Sequence, residues 1–420
     1  MKGGLNSSPF NFEYMRRNVN TSKLTKDFIE SKISQELIMS KYLDIPLDTI
    51  KDCVNNNRLI PSIFRDDGKK PSMGFTFNKK GRLKVRDFGG TGTFFDVYDA
   101  VAYVLSHAYE RKIEPNNKQD FYFILQHIAH TFSDIIDNKA VDENIDPIIQ
   151  EGLKKGRQHK AIIELVPRSW NKADKEIWNK WGISLNYLNT HFVIPVEQYY
   201  IDRGVDSDPK YYYKKSDPCY AYMLGQNKRG IYLIKLYFPL RNRATQLKFI
   251  TNCNIIEGLY NLELDNYDYI LITKSSKDRL SIGNHIASHP LYRGSTKLNI
   301  GIVNLPSENY KLKDNEHSYL LSKLKEDGMM LSLLDFDTTG RFGAKYLEEV
   351  YGIPYLFITR GEFGLPNLKC KDFTELYEQY SVDEINTFIK DTLNYVELKF
   401  NSSDSSESGQ AISDYRLPFY

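Results

Sequence analysis

Short apolar runs alternate with stretches of helical character between residues 255 and 395. The predicted strands are YDYILIT, KLNIGIVNL, MMLSLLDF and PYLFIT. The predicted helices of the same region are SKDRLSIGNHIAS, EHSYLLSKLKEDG and GRFGAKYLEEVYG. A succession of strand, helix and strand of this kind predicts a parallel sheet with crossover helices.

The chain is long and apolar enough to bury a sizeable core, with 420 residues of which 41% are hydrophobic. Its 56 basic and 54 acidic residues give a net charge of +2, so a polyanion would have to bind at a local patch. The four cysteines are scattered without a CxxC pair, which argues against a disulfide framework and an all-thiolate zinc site. We find neither a membrane-length apolar stretch nor a secretory signal, and therefore expect a cytoplasmic protein without a membrane partner.

Changes in composition and periodicity divide the sequence into five segments and predict a multidomain protein of the α+β and α/β classes. Residues 1–30 are polar and irregular, so we expect a disordered arm. Residues 31–108 contain helix and hairpin signals, and residues 116–250 form a basic segment of mixed α/β character. Residues 251–395 contain the predicted parallel sheet, and the serine-rich acidic residues 396–420 predict a disordered tail.

Cations and tyrosines are interleaved in the second half of the basic segment. The cations are Lys210, Lys214, Lys215, Lys228, Arg229, Lys235, Arg241, Arg243 and Lys248. This mixture is typical of surfaces where phosphates are neutralised and bases stack. It is also typical of a solvated antiparallel sheet with basic faces, and composition alone leaves both interpretations open.

Two aspartates lie at the end of the predicted strand MMLSLLDF, one within it and one directly after it. Asp335 and Asp337 are one residue apart, so both should lie at the carboxyl edge of the sheet, where open parallel sheets bind ligands. Carboxylates this close repel each other, and a divalent cation that neutralises them is the simplest explanation. The alternative is a helix N-terminus capped by Asp337, Thr338 or Thr339, which leaves Asp335 without a role.

Two further loops bring charged residues to the same edge. Lys274, Lys277 and Asp278 follow the first strand of the region, in ILITKSSKDRL. Lys371, Asp372 and Glu375 follow the last clear strand, in KCKDFTEL. Three loops thus deliver charge to one edge of the predicted sheet.

The order of these three motifs resembles the TOPRIM domain of bacterial-type DNA primases, and the nearest pattern is that of phage primases. The family has a strand ending in T-E-G-x-x-D, a later strand ending in D-x-D-x-x-G before a helix, and a downstream K-D-x-[ST]-[DE]. Here the corresponding residues are TKSSKD at 273–278, DFDTTG at 335–340 and KDFTE at 371–375. The likeness extends over about residues 35–380.

The N-terminal module strengthens this resemblance. Residues 61–101 keep the frame of the family's zinc-binding domain, with a hairpin and a glycine turn that leads into a helix. The cysteine and histidine ligands are absent: Arg65 stands about where the histidine would be, and Phe88 and Gly89 stand where the second cysteine pair would be. The resemblance therefore implies a zinc-ribbon-like module that folds without zinc. A small unrelated α+β unit is the alternative.

The resemblance implies a DNA primase that joins ribonucleoside triphosphates into short RNA on a single-stranded DNA template, with Mg²⁺ or Mn²⁺ as cofactor. It implies metal ligation by Asp335, Asp337 and Asp372, and a catalytic role for Asp278 as an outer ligand or orienting group. The residues expected to contact nucleotide or template phosphates are Lys235, Lys248, Arg65, Lys84, Arg86 and Lys277. Expected partners are a replicative helicase or single-strand-binding protein, in a bacterial host cytoplasm. The apolar tip DYRLPFY of the tail is a candidate docking segment, with a plain disordered terminus as the alternative.

Lys274 departs from the family, which has a glutamate at this position. A protonated lysine cannot ligate Mg²⁺ and adds positive charge to a cation site. Lys274 therefore either serves catalysis by binding the triphosphate, or neutralises the acids of a decayed site. Two other functions stay open: a TOPRIM nuclease or topoisomerase-like enzyme, and a non-catalytic replication adaptor that binds single strands.

Overall fold

A computed structural model describes residues 24–65, 71–141, 144–203, 208–242, 246–262, 266–288, 298–307, 310–335, 337–357, 370 and 372–390. The chain divides into two compact units. The first consists of Met1–Val166, Val196–Ala221 and Gln226–Asn254, and the second consists of Pro167–Pro195, Tyr222–Gly225 and Ile255–Tyr420. The five-segment division stays a prediction, and the predicted tail at 396–420 and most of the predicted arm lie outside the described residues.

Helices and a four-stranded antiparallel sheet share the core of the first unit. Its helices are α1 (Lys26–Lys32), α2 (Gln35–Leu43), α3 (Leu47–Asn56), α4 (Val97–Ala108), α5 (Lys118–Thr131), α6 (Ser133–Asp137) and α7 (Ile145–Gln158). The sheet has the order β1 (Ile60–Pro61), β2 (Pro71–Phe77), β3 (Leu83–Asp87) and β4 (Phe94–Asp96). The predicted β2–β3 hairpin is confirmed, and Gly81 supplies the positive φ that its turn requires.

A second sheet contains the tyrosine-rich strands that the sequence predicts. Its strands are β5 (Ile163–Pro167), β6 (Val193–Ile201), β7 (Tyr211–Tyr212), β8 (Cys219–Gln226), β9 (Tyr232–Tyr237) and β10 (Phe249–Thr251). The order is β10-β9-β8-β6-β5, with β7 paired to β6. The pairs β9/β10 and β6/β7 are antiparallel.

The second unit contains the predicted parallel sheet, which is confirmed. Its elements are α8 (Lys172–Asn179), α9 (Leu185–Thr190), β11 (Tyr267–Thr273), α10 (Ser276–Ser288), β12 (Ile300–Asn304), α11 (Asp314–Leu321), β13 (Leu324–Leu333), α12 (Thr338–Tyr351), β14 (Tyr355–Leu356) and α13 (Phe373–Gln379); residues 382–390 are also helical. The strand order is β12-β11-β13-β14, and the three pairings are parallel.

Both faces of this sheet are covered, as expected for a parallel sheet. On β11, Ile270 and Ile272 pack in one apolar cluster with α12, while the alternate residues Tyr269 and Leu271 pack against a second cluster that contains Leu376 of α13. The period of two along the strand therefore places successive side chains in two different cores.

The predicted helix EHSYLLSKLKEDG is partly wrong. The helix ends at Leu321, and the following residues begin β13 at Leu324. Leu324 pairs with Tyr267 of β11, and the Lys325 ammonium forms an ion pair with Asp268. These non-local contacts override the helical preference of the charged residues KLKED.

No helix among the described residues is long and apolar enough to cross a membrane.

Candidate active site

The carboxyl ends of β11 and β13 lie side by side in the parallel sheet. Thr273, the last residue of β11, pairs with Leu333, the last residue of β13. Lys274 and Asp335 lie one and two residues beyond these ends, so the strand pairing itself brings an ammonium and a carboxylate to one edge.

Asp278 lies in the first turn of α10 and is 5% exposed. Its carboxylate accepts a short hydrogen bond from the Ser275 hydroxyl and a 3.2 Å bond from the backbone N–H of Thr374. The Asp278 backbone N–H in turn donates to the Ser275 Oγ over 3.0 Å. These bonds fix the carboxylate although most of its hydration is lost.

Asp372 caps the N-terminus of α13 and approaches Asp278 through Thr374. Its Oδ1 accepts hydrogen bonds from the Thr374 hydroxyl at 2.8 Å and from the Glu375 backbone N–H at 2.9 Å. Because Thr374 also donates to Asp278, one residue holds two carboxylates in place.

Asp335 is 3% exposed, and the Lys274 ammonium donates a short hydrogen bond to its Oδ2. The same ammonium lies 3.8 Å from Asp337 Oδ2. Asp337 caps α12 by accepting from the Gly340 backbone N–H at 2.8 Å, as the capping alternative predicts. The capping alternative is therefore confirmed for Asp337, and metal ligation by this residue stays a prediction.

Oxygen atoms of Asp278, Asp335 and Asp372 all lie within 4.8 Å of one another. The cluster does not include Asp337. Burial, together with the negative charge of Asp372, raises the pKa of Asp278 to about 7, against the opposing effects of Lys277 and Ser275. Burial also raises the pKa of Asp335, while Lys274 lowers it. Two of the three carboxylates, Asp278 and Asp335, thus have raised pKa values. A bound cation would neutralise such a group in place of protons.

Gly340 allows the turn after β13 to close against α12. A Cβ atom at this position would lie 2.1 Å from the Asp335 carbonyl oxygen, far inside van der Waals contact. The glycine of the D-x-D-x-x-G motif is therefore required by close backbone approach.

Lys277 lies next to the cluster. Its ammonium is 4.8 Å from the centre of the Trp181 ring, and its charge lowers the pKa of Asp278. The indole N–H of Trp181 donates to Glu378 over 2.9 Å, which fixes the ring. Stacking on an aromatic face holds the cation beside the carboxylates.

The remaining predicted phosphate contacts lie in the first unit. Arg65 is bound to Asp87, with its Nε 2.8 Å from Oδ2, and its Nη2 donates to the Ser72 hydroxyl. The same Asp87, which is fully buried, accepts from the Ser62 hydroxyl at 2.6 Å. The position that the resemblance aligns with a zinc ligand is thus part of a charged hydrogen-bond network, and the absence of zinc stays a prediction.

Lys84 and Arg86 lie on the outer face of β3, each beside an exposed aromatic ring. The Lys84 ammonium is 5.4 Å from the centre of the Phe94 ring and 3.3 Å from Asp96. The Arg86 guanidinium is 4.7 Å from the centre of the Phe88 ring. We call Lys84, Arg86, Phe88 and Phe94 the aromatic–basic face; its two rings are 56% (Phe94) and 46% (Phe88) exposed.

Lys235 and Lys248 lie in the second sheet region. The Lys235 ammonium is 4.9 Å from the centre of the Phe249 ring, which stacks on Tyr237 with an interplanar angle of 14°. Lys248 is half-buried, and its carbonyl accepts a hydrogen bond from the Phe238 N–H.

Several residues that position the site were not predicted from the sequence. Ser275 and Thr374 hold the carboxylates of Asp278 and Asp372, and Trp181 and Glu378 fix Lys277. Ser275 has a local signal, because a serine three residues before an acid is the spacing of a capping box. The contacts of Trp181 connect residues far apart in sequence, so no local pattern predicts them.

No protein-family model matches this sequence, and no curated protein matches it. Solved structures that are similar to the chain include the following two. The first is a structure of the bacteriophage T7 lagging-strand DNA polymerase with primase domains of two gp4 subunits bound to an RNA/DNA hybrid and dTTP; the match has 14% identity and a TM-score of 0.30, and covers 55% of this chain and 97% of that one.

The second is the RNA polymerase domain of the Mycobacterium tuberculosis primase DnaG. This match has 8% identity and a TM-score of 0.28, and covers 72% of this chain and 89% of that one. Both structures contain a primase or primase domains.

Proposed function

We propose that this protein is a DNA primase that synthesises short RNA primers on single-stranded DNA by metal-dependent nucleotidyl transfer. The observation that carries the proposal is the cluster of Asp278, Asp335 and Asp372, which come from three separate parts of the chain and meet beyond the carboxyl ends of β11 and β13. Their order along the chain is that of the three motifs through which the sequence resembles TOPRIM primases.

The donor set fits Mg²⁺ or Mn²⁺. The cluster offers only carboxylate oxygens, which are the ligands that these hard cations prefer, and Mg²⁺ needs few protein ligands because it retains several waters. Asp278, Asp335 and Asp372 would hold the ion, and Asp337 would be an outer ligand. When bound, the ion would lower the pKa of the attacking hydroxyl and neutralise charge on the triphosphate.

The chain's own residues supply orientation and phosphate binding. Ser275 and Thr374 hold Asp278 and Asp372 so that their carboxylates converge without rearrangement. Lys277, fixed on Trp181 beside the cluster, is placed to neutralise a phosphate of a ribonucleoside triphosphate.

The aromatic–basic face is the proposed site for single-stranded template. Phe88 and Phe94 offer two exposed rings on which bases stack, and Lys84 and Arg86 offer cations to the phosphates between them. Lys235, Lys248 and Arg65 are proposed as further phosphate contacts. Replicative helicase or single-strand-binding protein are proposed as partners of the tail, which lies outside the described residues.

One observation favours a second candidate, a non-catalytic adaptor that binds single strands. The Lys274 ammonium already neutralises Asp335 and approaches Asp337, as expected for a site that no longer needs a metal. A nuclease or topoisomerase-like enzyme would use the same acidic cluster for cleavage.

Template-dependent synthesis separates these functions. Purified protein is incubated with circular single-stranded DNA, labelled ribonucleotides and Mg²⁺ or Mn²⁺. A primase produces short labelled RNA, a nuclease cuts the circle, and an adaptor only retards its migration. The proposal requires that Asp335→Asn and Asp372→Asn abolish synthesis. Asp327→Asn, within β13 and with an 82% exposed side chain, should keep it. RNA synthesis that persists in both cluster variants would refute the assignment.

A further inference from the structure

Lys274 lies where a cation would be expected to lie between Asp335 and Asp337. Its ammonium is hydrogen-bonded to one carboxylate and 3.8 Å from the other, and its side chain is only 19% exposed. The backbone explains why: Lys274 directly follows β11, and Asp335 follows the adjacent end of β13. The cation at the D-x-D turn is therefore a side chain of the protein and cannot dissociate.

Asp278 and Asp372 are the two carboxylates of the cluster that Lys274 does not contact. Their hydrogen-bond donors are neutral: the Ser275 hydroxyl, the Thr374 backbone N–H and hydroxyl, and the Glu375 backbone N–H. Within the described part of the chain, no Lys, Arg or His side chain lies within 4.0 Å of either carboxylate. Among the described residues, an ammonium therefore contacts Asp335 directly, whereas Lys277 acts on Asp278 from a greater distance.

The charges of the site favour one divalent ion. With Asp278, Asp335, Asp337 and Asp372 ionised, the four carboxylates contribute −4 and Lys274 contributes +1. One divalent ion reduces the remaining −3 to −1, which the nearby Lys277 balances. A second divalent ion at the D-x-D turn would lie in contact with an ammonium, and like charges at such distances repel strongly in a partly buried site.

We propose that the Lys274 ammonium permanently takes the place of one divalent cation, so that the site binds a single Mg²⁺ or Mn²⁺ at Asp278, Asp335 and Asp372. The inference deepens the proposed function and rests on it for the identity of the site. In this inference the Lys274 ammonium stands in for a metal ion in a working site. The two roles considered from sequence were binding of triphosphate and neutralisation of a decayed site.

The number of bound ions tests this role directly. Free Mn²⁺ is measured by electron paramagnetic resonance while the full chain is titrated, which gives the number of ions per chain without any assay of activity. The wild type and Lys274→Arg, which keeps the positive charge, should each bind one ion. Lys274→Glu and Lys274→Met should each bind two, because the Asp335–Asp337 pair is then free of its internal cation. Lys172→Glu, a charge reversal at a side chain that is 92% exposed on α8, should still bind one.

Thermal melts without metal establish that each variant is folded, and the methionine variant keeps the test valid if the glutamate variant does not fold. Two ions or none in the wild type overturn the inference, as does a single ion in both Lys274→Glu and Lys274→Met. Primer synthesis by the wild type is measured separately. Synthesis with two bound ions would refute the role of Lys274 alone, whereas one bound ion without synthesis would refute the proposed function alone.

Discussion

Replacing Asp278 with asparagine should stabilise the metal-free protein above pH 7. The amide has nearly the shape of the carboxylate, so its Oδ1 can still accept from the Thr374 N–H and its Nδ2 can donate to the Ser275 Oγ. The substitution therefore removes a buried negative charge and leaves the packing and the hydrogen-bond geometry in place. It also removes repulsion with Asp372 and Asp335, both of which raise the pKa of Asp278.

The size of the effect follows from the difference between the folded and unfolded pKa of Asp278. The pKa rises from 3.8 to about 7 on folding. Because the folded chain binds the proton more tightly, the free energy of unfolding of the wild type falls as pH rises between these values and is constant above them. One pKa unit corresponds to about 1.4 kcal/mol, so the total loss is at most roughly 4 kcal/mol. Asparagine does not titrate, and Asp278→Asn escapes this loss.

The assay is urea denaturation in EDTA at a series of pH values from about 4 to 8. The difference in free energy of unfolding, variant minus wild type, should grow by at most about 1.4 kcal/mol per pH unit up to pH 7 and then level off. Asp327→Asn at an exposed carboxylate is the matched control and should show no such growth. In Mn²⁺ the wild type should gain stability through ligand binding and Asp278→Asn should gain much less. A variant that is less stable than the wild type at pH 8 without metal, or a difference independent of pH, would refute the reasoning.

Four further predictions concern template binding, the D-x-D turn and the N-terminal module. Phe94→Ala should weaken binding of single-stranded DNA about tenfold, because stacking on an aromatic ring is worth roughly 1 to 3 kcal/mol per base; fluorescence anisotropy measures this, and Phe342→Ala, at a ring 71% exposed on α12, should not change it. Gly340→Ala should reduce Mn²⁺ affinity at least tenfold, because its Cβ would displace the Asp335 backbone; unchanged Mn²⁺ binding by calorimetry would contradict this requirement. Elemental analysis should find no stoichiometric zinc in the purified protein. Arg65→Met should lower the melting temperature of the protein, because buried Asp87 loses its cation.

The agreement between the predicted and the observed parallel sheet shows which secondary-structure elements are determined by the local sequence. Strands such as YDYILIT and helices such as GRFGAKYLEEVYG have apolar periods that any tertiary arrangement must bury, so β11 and α12 were predictable. The D-x-D turn was predictable as a polar interruption of a buried strand, and the cap at Asp337 follows from residues within one helical turn. The switch from α11 to β13 at Leu324 was not, because its cause is pairing with β11.

Sequence by itself determined that carboxylates and lysines end neighbouring strands, which is enough to predict a charged edge. Only the tertiary structure decided which of these charged residues contact each other. The pairing of β11 with β13 places Lys274 against Asp335, and Thr374 of α13 joins Asp372 to Asp278. An ion pair and a shared hydrogen-bond donor both depend on distances of a few ångströms between residues 61 and 96 positions apart. Local patterns cannot set such distances, because they result from the order of the strands and the packing of the helices that cover them.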